Sequence, residues 1–206
     1  SPTYDPRIMV GRSRGKSHRM LQHDLWKPLL NRSIMGLYPP GSTFKTSQAL
    51  TFLSEGIVTP GTAFPCHRGF YYRGLHVGCH SHPAPIALVD ALSTSCNGYF
   101  CWGLYYMMGN RKRYRNVQDA MTTWRDYMVG MGFGYNLGID LPGEKRGMIP
   151  NADYYDRNYH GSWNGLTIIS ISIGQGEVTL TPLQIANLGA TIANRGYYYV
   201  PHVVRK

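Results

Sequence analysis

The most informative local pattern in this chain is the sequence Tyr38-Pro39-Pro40-Gly41-Ser42-Thr43-Phe44-Lys45. Its Pro-Pro-Gly segment is a turn signal, and a serine directly after a turn is a common helix cap. The apolar residues that follow fall near one face of a helix: Phe44, Ala49, Leu50 and Leu53. Gly56 is a typical stop signal. The pattern therefore predicts a helix that begins at Ser42 and ends at Gly56.

Ser42 and Lys45 form an S-x-x-K pair in this predicted helix. Residues three apart share a helix face, so the Lys45 amine can reach the Ser42 hydroxyl. A serine becomes a good nucleophile when a base accepts its proton, and a desolvated lysine with a lowered pKa can be that base. At the start of a helix the Ser42 amide has no intrahelical acceptor, so it can donate to an oxyanion. The pair predicts nucleophilic serine chemistry.

Such short motifs also arise by chance, and each one occurs twice in the chain. A second S-x-x-K runs from Ser13 to Lys16, but it contains a glycine and no apolar helix follows it. The pattern S-x-N occurs as Ser95-Cys96-Asn97 and as Ser162-Trp163-Asn164. The first follows an apolar run at 86–92 that is typical of a buried helix, whereas the second lies in a Gly-rich loop. We therefore favour Ser95 and Asn97 as site residues, with ordinary helix capping as the alternative.

Further helices and two strands are predicted along the chain. Thr181 as cap, Pro182 at the first helical position and Gly196 as stop signal delimit a C-terminal helix. The other predicted helices cover 86–92, 99–108 and 116–131, and strands are predicted at 167–173 and 197–204.

The chain has 206 residues, with 21 Lys and Arg against 11 Asp and Glu, and a formal net charge of +10. A disordered acidic chain is thus excluded, and the length suffices for a folded core. No stretch reaches the roughly 18 apolar residues of a membrane-spanning helix. Half of the net charge falls in residues 1–32, which indicates a solvated surface or an anionic partner. We favour the solvated surface because no basic run is interleaved with aromatic residues, as RNA-binding segments are.

Taken in chain order, the two motifs resemble the active-site set of serine-dependent penicillin-binding proteins and serine β-lactamases. Together with the segment at 38–45, further segments resemble the transpeptidase domain of class B penicillin-binding proteins, most of all the elongation type, penicillin-binding protein 2. These segments are Ser1-Pro2-Thr3-Tyr4-Asp5-Pro6, Gly138-Ile139-Asp140-Leu141-Pro142-Gly143-Glu144, Gly174-Gln175-Gly176 and Thr181-Pro182-Leu183-Gln184. The resemblance covers essentially the whole chain.

This resemblance implies a D,D-transpeptidase that cross-links peptidoglycan stem peptides ending in D-Ala-D-Ala and that is acylated by β-lactams. Carried over to this sequence, Ser42 would be the acylated nucleophile and Lys45 the base that activates it. Ser95 would relay a proton toward the leaving amine, and Asn97 would hydrogen-bond the substrate amide. The family implies no cofactor for catalysis.

The family also implies where such a protein acts and with which partners. We expect glycosyltransferase and elongation-complex membrane proteins as partners, and no nucleic acid. The expected location is the periplasmic face of the cytoplasmic membrane, with a parent protein anchored by an N-terminal transmembrane helix that this chain does not contain.

One departure from the family pattern concerns its third motif, Lys-Thr/Ser-Gly, because the only Lys-Thr pair here is Lys45-Thr46. The strand that normally leads into Ser1-Pro2 is absent as well. We therefore expect residues 1–206 to form part of a transpeptidase domain with the α/β fold of penicillin-binding proteins and serine β-lactamases. This part would be mainly the α-helical lobe, with few strands and most of the central sheet missing. Without one oxyanion donor, it would react poorly or not at all with β-lactams.

The four cysteines pose a separate question. Cys66, Cys79 and Cys96 lie within 31 residues, with His67, His80 and His82 among the residues between them, and Cys101 follows. In an exported protein a disulfide between Cys66 and Cys79 is one interpretation. The other is a structural zinc site, since some elongation-type relatives carry a metal in this loop with a ligand from the middle of S-x-N, the position of Cys96. The ligands would be Cys66, Cys79, His82 and Cys96, with His80 as a substitute for His82.

Three rival functions share some of these features. A class A β-lactamase would need a deacylating glutamate after S-x-N, but Glu144 lies in a Leu-Pro-Gly-Glu setting that resembles the transpeptidases. A β-lactam sensor domain would share the acylation chemistry. A non-catalytic basic module that binds nucleic acid or an anionic envelope polymer would explain the charge but not the ordered motifs.

Overall fold

The computed structural model describes residues 2–204, in which eight α-helices outnumber two small antiparallel sheets. The helices are α1 (Arg14–His23), α2 (Arg32–Met35), α3 (Lys45–Ser54), α4 (Leu88–Ser93), α5 (Asn97–Gly109), α6 (Val117–Gly130), α7 (Ala152–Asn158) and α8 (Pro182–Ala193). The strands are β1 (Ala63–Phe64), β2 (Gly69–Tyr72), β3 (Leu75–Gly78) and β4 (Ile86–Ala87). Short 3₁₀ turns cover Pro6–Met9, Gly41–Phe44 and Ile169–Ile173. This confirms the expected mainly helical, strand-poor architecture.

Helix α5 is the centre of the fold. It packs against α3, α6, the strands β1, β2 and β3, and the 3₁₀ turn Ile169–Ile173. Its buried residues lie on all sides of the helix: Gly98, Tyr99, Phe100, Cys101, Gly103, Leu104, Met107 and Met108. A helix that is apolar all round is typical of a core position. It has 13 residues, and within residues 2–204 no helix combines the length and apolar character that crossing a membrane requires.

The close approach of α3 and α5 depends on Gly103. A Cβ atom at this position would overlap the ring of Phe52, which is fully buried on α3. Glycine therefore lets the two helix backbones approach closely. Because Lys45 begins α3 and Asn97 begins α5, this contact helps to bring the two sequence motifs together.

Polar contacts connect α3 with α6 and with the segment that precedes α6. Trp124 of α6 donates its indole N–H to Gln48 Oε1 at 2.9 Å, and both side chains are buried. Glu55, just after α3, accepts hydrogen bonds from Arg113 Nε at 2.5 Å, from Tyr127 OH at 2.8 Å and from Tyr114 OH. Burial favours the protonated carboxyl, but these three donors outweigh it and lower the pKa of Glu55. These contacts at Gln48 and Glu55 hold the helix that carries Lys45 in place.

Strands β2 and β3 form a hairpin whose two-residue turn is Arg73-Gly74. Both turn residues have positive φ, +48° and +81°, as a type I′ turn requires. The register pairs Gly69 with Gly78 at the open end of the hairpin. Cys79 follows directly and donates its N–H to the Arg68 carbonyl at 2.8 Å, so the hairpin delivers Cys79 to the N-terminal end of α5.

The predicted helices are confirmed, with corrections at residues 86–87 and at Ser42. Ile86 and Ala87, predicted as the start of a helix, form strand β4 paired with β1, and α4 begins at Leu88. Ser42 does not cap the helix but lies inside the 3₁₀ turn Gly41–Phe44, which continues directly into α3. Leu50 and Leu53 are also partly exposed, at 42% and 36%, so the apolar face is narrower than predicted. At the C-terminal helix, Thr181 and Gln184 form the capping box of α8.

The two predicted strands are wrong. Residues 167–173 contain the 3₁₀ turn Ile169–Ile173, packed against α5 and ended by Gly174 at φ +69°. A short run of buried β-branched residues does not distinguish a strand from a buried helical turn. Residues 197–204 form no strand, and in the described part of the chain no strand pairs with them. The preference of these residues for strands reflects packing against neighbouring strands, so it does not produce a strand where no neighbouring strand is present.

Candidate active site

The structure brings the S-x-x-K and S-x-N motifs together around the Lys45 amine. Lys45 Nζ lies 3.1 Å from Ser42 Oγ and 3.0 Å from Ser95 Oγ. It also lies 2.6 Å from Asn97 Oδ1 and 2.6 Å from the Ser95 carbonyl oxygen. All four residues predicted from the two motifs therefore meet at one nitrogen atom.

The environment of Lys45 lowers the pKa of its amine. The side chain is only 2% exposed, and burial lowers its pKa, although the nearby thiols of Cys79, Cys96 and Cys101 oppose this shift. The Ser95 carbonyl and Asn97 Oδ1 have no proton to give, so each must accept an N–H from the amine. A neutral amine has two such N–H groups, and its one lone pair could then accept a proton from the Ser42 or the Ser95 hydroxyl, both of which lie within hydrogen-bond distance of Nζ.

The side-chain NH₂ group of Asn97 fixes the orientation of its amide. Asn97 Nδ2 donates to the Gly78 carbonyl at 2.8 Å, so its oxygen faces Lys45. The Gly78 carbonyl stands at the end of β3. Asn97 Oδ1 keeps a second lone pair, so the expected hydrogen bond to a substrate amide is compatible with its contact to Lys45.

Ser95 has a backbone conformation that is unusual for serine, with φ +55°. It follows α4 and Thr94 in a Schellman motif, in which Cys96 N donates to Ala91 O at 2.8 Å and Ser95 N to Leu92 O at 3.1 Å. Glycine is the usual residue at this position, since a side chain there is strained. The turn aims both the carbonyl and the hydroxyl of Ser95 at Lys45.

Ser42 is exposed, while the base beneath it is buried. Its turn is held by Gly174, whose carbonyl accepts the Gly41 N–H at 2.9 Å. A Cβ atom on Gly174 would overlap Gly41 and Phe44. Within residues 2–204, the Ser42 N–H donates to no other protein group, so it is available for an oxyanion.

The second copies of both motifs form no such arrangement. Ser13 and Lys16 are exposed at the start of α1, and the Ser13 side chain makes no capping hydrogen bond. Ser162 and Asn164 lie on an exposed loop, where the Asn164 side chain accepts the backbone N–H of Leu166 at 2.8 Å. Only the two copies favoured by sequence context therefore come together in the structure.

A second cluster of functional groups lies beside Asn97. The ligand atoms of Cys66, Cys79, His82 and Cys96 all lie within 4.8 Å of one another. These are the four residues predicted as zinc ligands. Cys66 and Cys79, the pair of the alternative disulfide, are both free thiols in the structure. His80 Nδ1 is 3.9 Å from Cys79 Sγ, but its side chain is exposed outside the cluster.

Surrounding hydrogen bonds prepare this cluster for a cation. His82 Nδ1 is 2.8 Å from the Pro83 carbonyl, which can only accept, so Nδ1 carries the proton and Nε2 is free to bind. Cys79 Sγ accepts the Asn97 N–H and Cys96 Sγ accepts the Tyr99 N–H, each at 3.3 Å. Despite burial, the N–H donors favour the thiolate and leave the pKa of Cys79 lowered, whereas burial still raises the pKa of Cys96. Three sulfurs and one imidazole form a donor set typical of structural zinc.

Three groups in the site were not predicted from the sequence. They are the Gly78 carbonyl that orients Asn97, the left-handed backbone of Ser95, and the contact of Gly174 with the Ser42 turn. The first two have no residue-type signal, because a carbonyl is present in every residue and serine does not indicate positive φ. Gly174 had a signal in the Gly174-Gln175-Gly176 segment, since glycine permits positive φ and close backbone contact.

The chain is similar to known transpeptidases over its whole length. A family model described as penicillin binding protein transpeptidase domain matches residues 1–206. The peptidoglycan D,D-transpeptidase MrdA of Acinetobacter baumannii is 35% identical over 214 residues, which cover 100% of this chain but 29% of that protein. The chain thus spans less than a third of this curated relative.

Two solved structures illustrate the similarity of this fold to known penicillin-binding proteins. One is Pseudomonas aeruginosa PBP2 in complex with WCK 5153, with a TM-score of 0.77, 28% identity, and coverage of 98% of this chain and 44% of that one. The other is a complex between PBP2 and MreC from Helicobacter pylori, with a TM-score of 0.75, 26% identity, and coverage of 97% of this chain and 36% of that one.

The backbone of Ser95 can be tested separately from its hydroxyl. Ser95→Ala and Ser95→Gly both remove the hydroxyl, but only glycine relieves the positive φ. We expect the alanine variant to be less stable than the glycine variant by about 1 kcal/mol. The measurement is the free energy of unfolding in urea. Equal stability of the two variants would contradict the left-handed turn.

Proposed function

The chain belongs to the penicillin-binding protein transpeptidase family, and on that premise we propose that Ser42 is the nucleophile of a peptidoglycan D,D-transpeptidase. The observation that carries the proposal is the buried Lys45 amine, 3.1 Å from Ser42 Oγ and 2.6 Å from the acceptor Asn97 Oδ1. In this arrangement the amine can take a proton from the hydroxyl that faces solvent.

The first half of the reaction transfers an acyl group to Ser42. As Ser42 Oγ attacks the carbonyl carbon of the penultimate D-Ala, its proton moves to the neutral Lys45 amine. The new oxyanion receives the Ser42 N–H. As the amide C–N bond breaks, the Ser95 hydroxyl passes its proton to the leaving D-Ala amine and takes the proton held by Lys45, whose Nζ lies 3.0 Å away. The products are an ester on Ser42 and free D-Ala.

The second half reverses these proton transfers. An amine of a neighbouring stem peptide attacks the ester, and its proton returns through Ser95 and Lys45 to Ser42 Oγ. This step forms the cross-link and regenerates the hydroxyl. A β-lactam reacts through the first half only, because its ring-opened leaving group stays attached to the acyl chain.

We also propose that residues 1–206 are part of the transpeptidase domain and that a Lys-Thr/Ser-Gly strand outside them supplies the second oxyanion donor. This proposal is supported by the single Lys-Thr pair, inside the first motif, and by the 29% coverage of MrdA. Residues 1–206 alone would then react with β-lactams slowly or not at all, whereas the intact protein would react readily.

The cellular setting follows from the same family. We propose that the intact protein is anchored in the cytoplasmic membrane and acts on its periplasmic face, with elongation-complex and glycosyltransferase membrane proteins as partners. The PBP2 from Helicobacter pylori, solved in complex with MreC, supports a partner of this kind.

We further propose that Cys66, Cys79, His82 and Cys96 hold a structural zinc ion. Zinc would link the β2–β3 hairpin, the following loop and the start of α5. Cys96 lies between Ser95 and Asn97, so the cluster would hold the backbone that positions both side chains. Its role is therefore structural, with no part in the proton transfers.

Acylation of the intact protein by a fluorescent penicillin tests the nucleophile. We expect Ser42→Ala to abolish labelling and Lys45→Met to slow it by about 10²- to 10⁴-fold, the range of a lost general base. The labelled peptide should contain Ser42 by mass spectrometry.

The second S-x-x-K pair offers a matched control for this experiment. Ser13→Ala and Lys16→Met remove the same groups from exposed positions on the protein surface, and labelling should stay unchanged. Label on another serine, or full labelling of Ser42→Ala, would refute the proposed nucleophile.

Metal analysis of the purified protein tests the zinc site. We expect one zinc per chain, lost in Cys79→Ser and His82→Ala but retained in Cys101→Ser and His80→Ala, which change residues outside the cluster. Thiol protection should survive a reductant and disappear with a chelator. Protection that a reductant removes would indicate a disulfide instead.

A further inference from the structure

A cleft lined by residues between 125 and 157 contains several positively charged side chains. It has a volume of about 270 Å³ and lies between α6, the start of α7 and the loop that joins them. Three arginines line it, Arg125 from α6, Arg146 from the loop and Arg157 from α7. The remaining lining residues are Gly134, Gly147, Met148, Ile149, Asn151 and Tyr154. The lining therefore contains no acidic side chain.

These arginines are not neutralised by neighbouring carboxylates. Within residues 2–204, no carboxylate oxygen lies within 4.0 Å of their guanidinium nitrogens. Asp156 precedes Arg157 but uses one oxygen to accept from Gln118 Nε2 at 3.1 Å and Trp163 Nε1 at 2.6 Å. Three positive charges that share one cleft repel each other, and an anion bound between them would offset that repulsion.

Arg125 also has an unsatisfied donor. Its side chain is half-buried, and its Nε atom is fully buried with no hydrogen-bond partner. A buried N–H without an acceptor is destabilising, so such groups are rare in folded proteins. An acceptor oxygen supplied by a ligand would satisfy it.

Two neutral donors complete the lining. Asn151 Oδ1 accepts the Tyr154 N–H at 2.9 Å, which leaves the Asn151 side-chain NH₂ as the group available to a ligand. In the described chain, the Tyr154 hydroxyl makes no hydrogen bond to the protein, so it is available as well. Every polar side chain around the cleft can therefore offer a proton.

We propose that this cleft is a binding site for a small, multiply charged oxyanion, a phosphate or carboxylate group of a ligand. Guanidinium groups match the oxygens of both groups with paired N–H donors. The cleft shares no residue with the Ser42 site, so its occupancy can be measured without reference to acylation.

Isothermal titration of the intact protein with inorganic pyrophosphate and with citrate, at constant ionic strength, tests the proposal. We expect saturable one-to-one binding of at least one of them. Tighter pyrophosphate binding would identify a phosphate ligand, and tighter citrate binding a carboxylate ligand. The Ser42→Ala variant should bind with unchanged affinity.

Variants distinguish the cleft from general positive charge. Arg146 and Arg157 are exposed, so Arg146→Gln and Arg157→Gln should fold normally and weaken binding about tenfold or more. Arg19→Gln is the matched control, because it removes an exposed arginine from α1, and it should leave affinity unchanged. Absence of saturable binding, or equal weakening in the Arg19 variant, would overturn the proposal.

Discussion

The site depends on one constraint, the burial of the Lys45 amine among groups that can only accept its protons. The Ser95 carbonyl and Asn97 Oδ1 lie 2.6 Å from Nζ and fix two N–H directions. Burial disfavours the charged form and lowers the pKa of Lys45, and in the neutral amine the third direction would hold a lone pair. That lone pair would face the Ser42 hydroxyl, and a neutral base next to an exposed serine is what the proposed nucleophilic catalysis requires.

The surrounding fold serves to keep those acceptors in place. Gly103 lets α3 and α5 approach, the Schellman turn aims Ser95, and the Gly78 carbonyl orients Asn97. The Cys and His cluster acts on the same short segment, because Cys96 separates the two motif residues and Cys79 receives the Asn97 N–H. A metal bound there would stiffen the backbone on which the proton path rests.

Much of this arrangement could be predicted from residue types and spacing. Ser42 and Lys45 share a face because they are three residues apart, and the buried run before Ser95 distinguished it from Ser162. The backbone geometry could not be predicted in the same way. Serine does not signal positive φ at Ser95, and the β-branched residues at 167–173 fit a strand as well as a buried 3₁₀ turn. Only packing against α5 decides between those two conformations.

The pH dependence of Ser42 acylation by a β-lactam measures the protonation state of Lys45 most directly. Protonated Lys45 cannot accept the serine proton, so the second-order rate constant should fall as the pH decreases through the Lys45 pKa. We predict one ionisation with an apparent pKa below the ordinary lysine value of 10.5. A rate constant that does not change with pH, or one that rises only near the ordinary lysine pKa, would contradict a neutral Lys45 base.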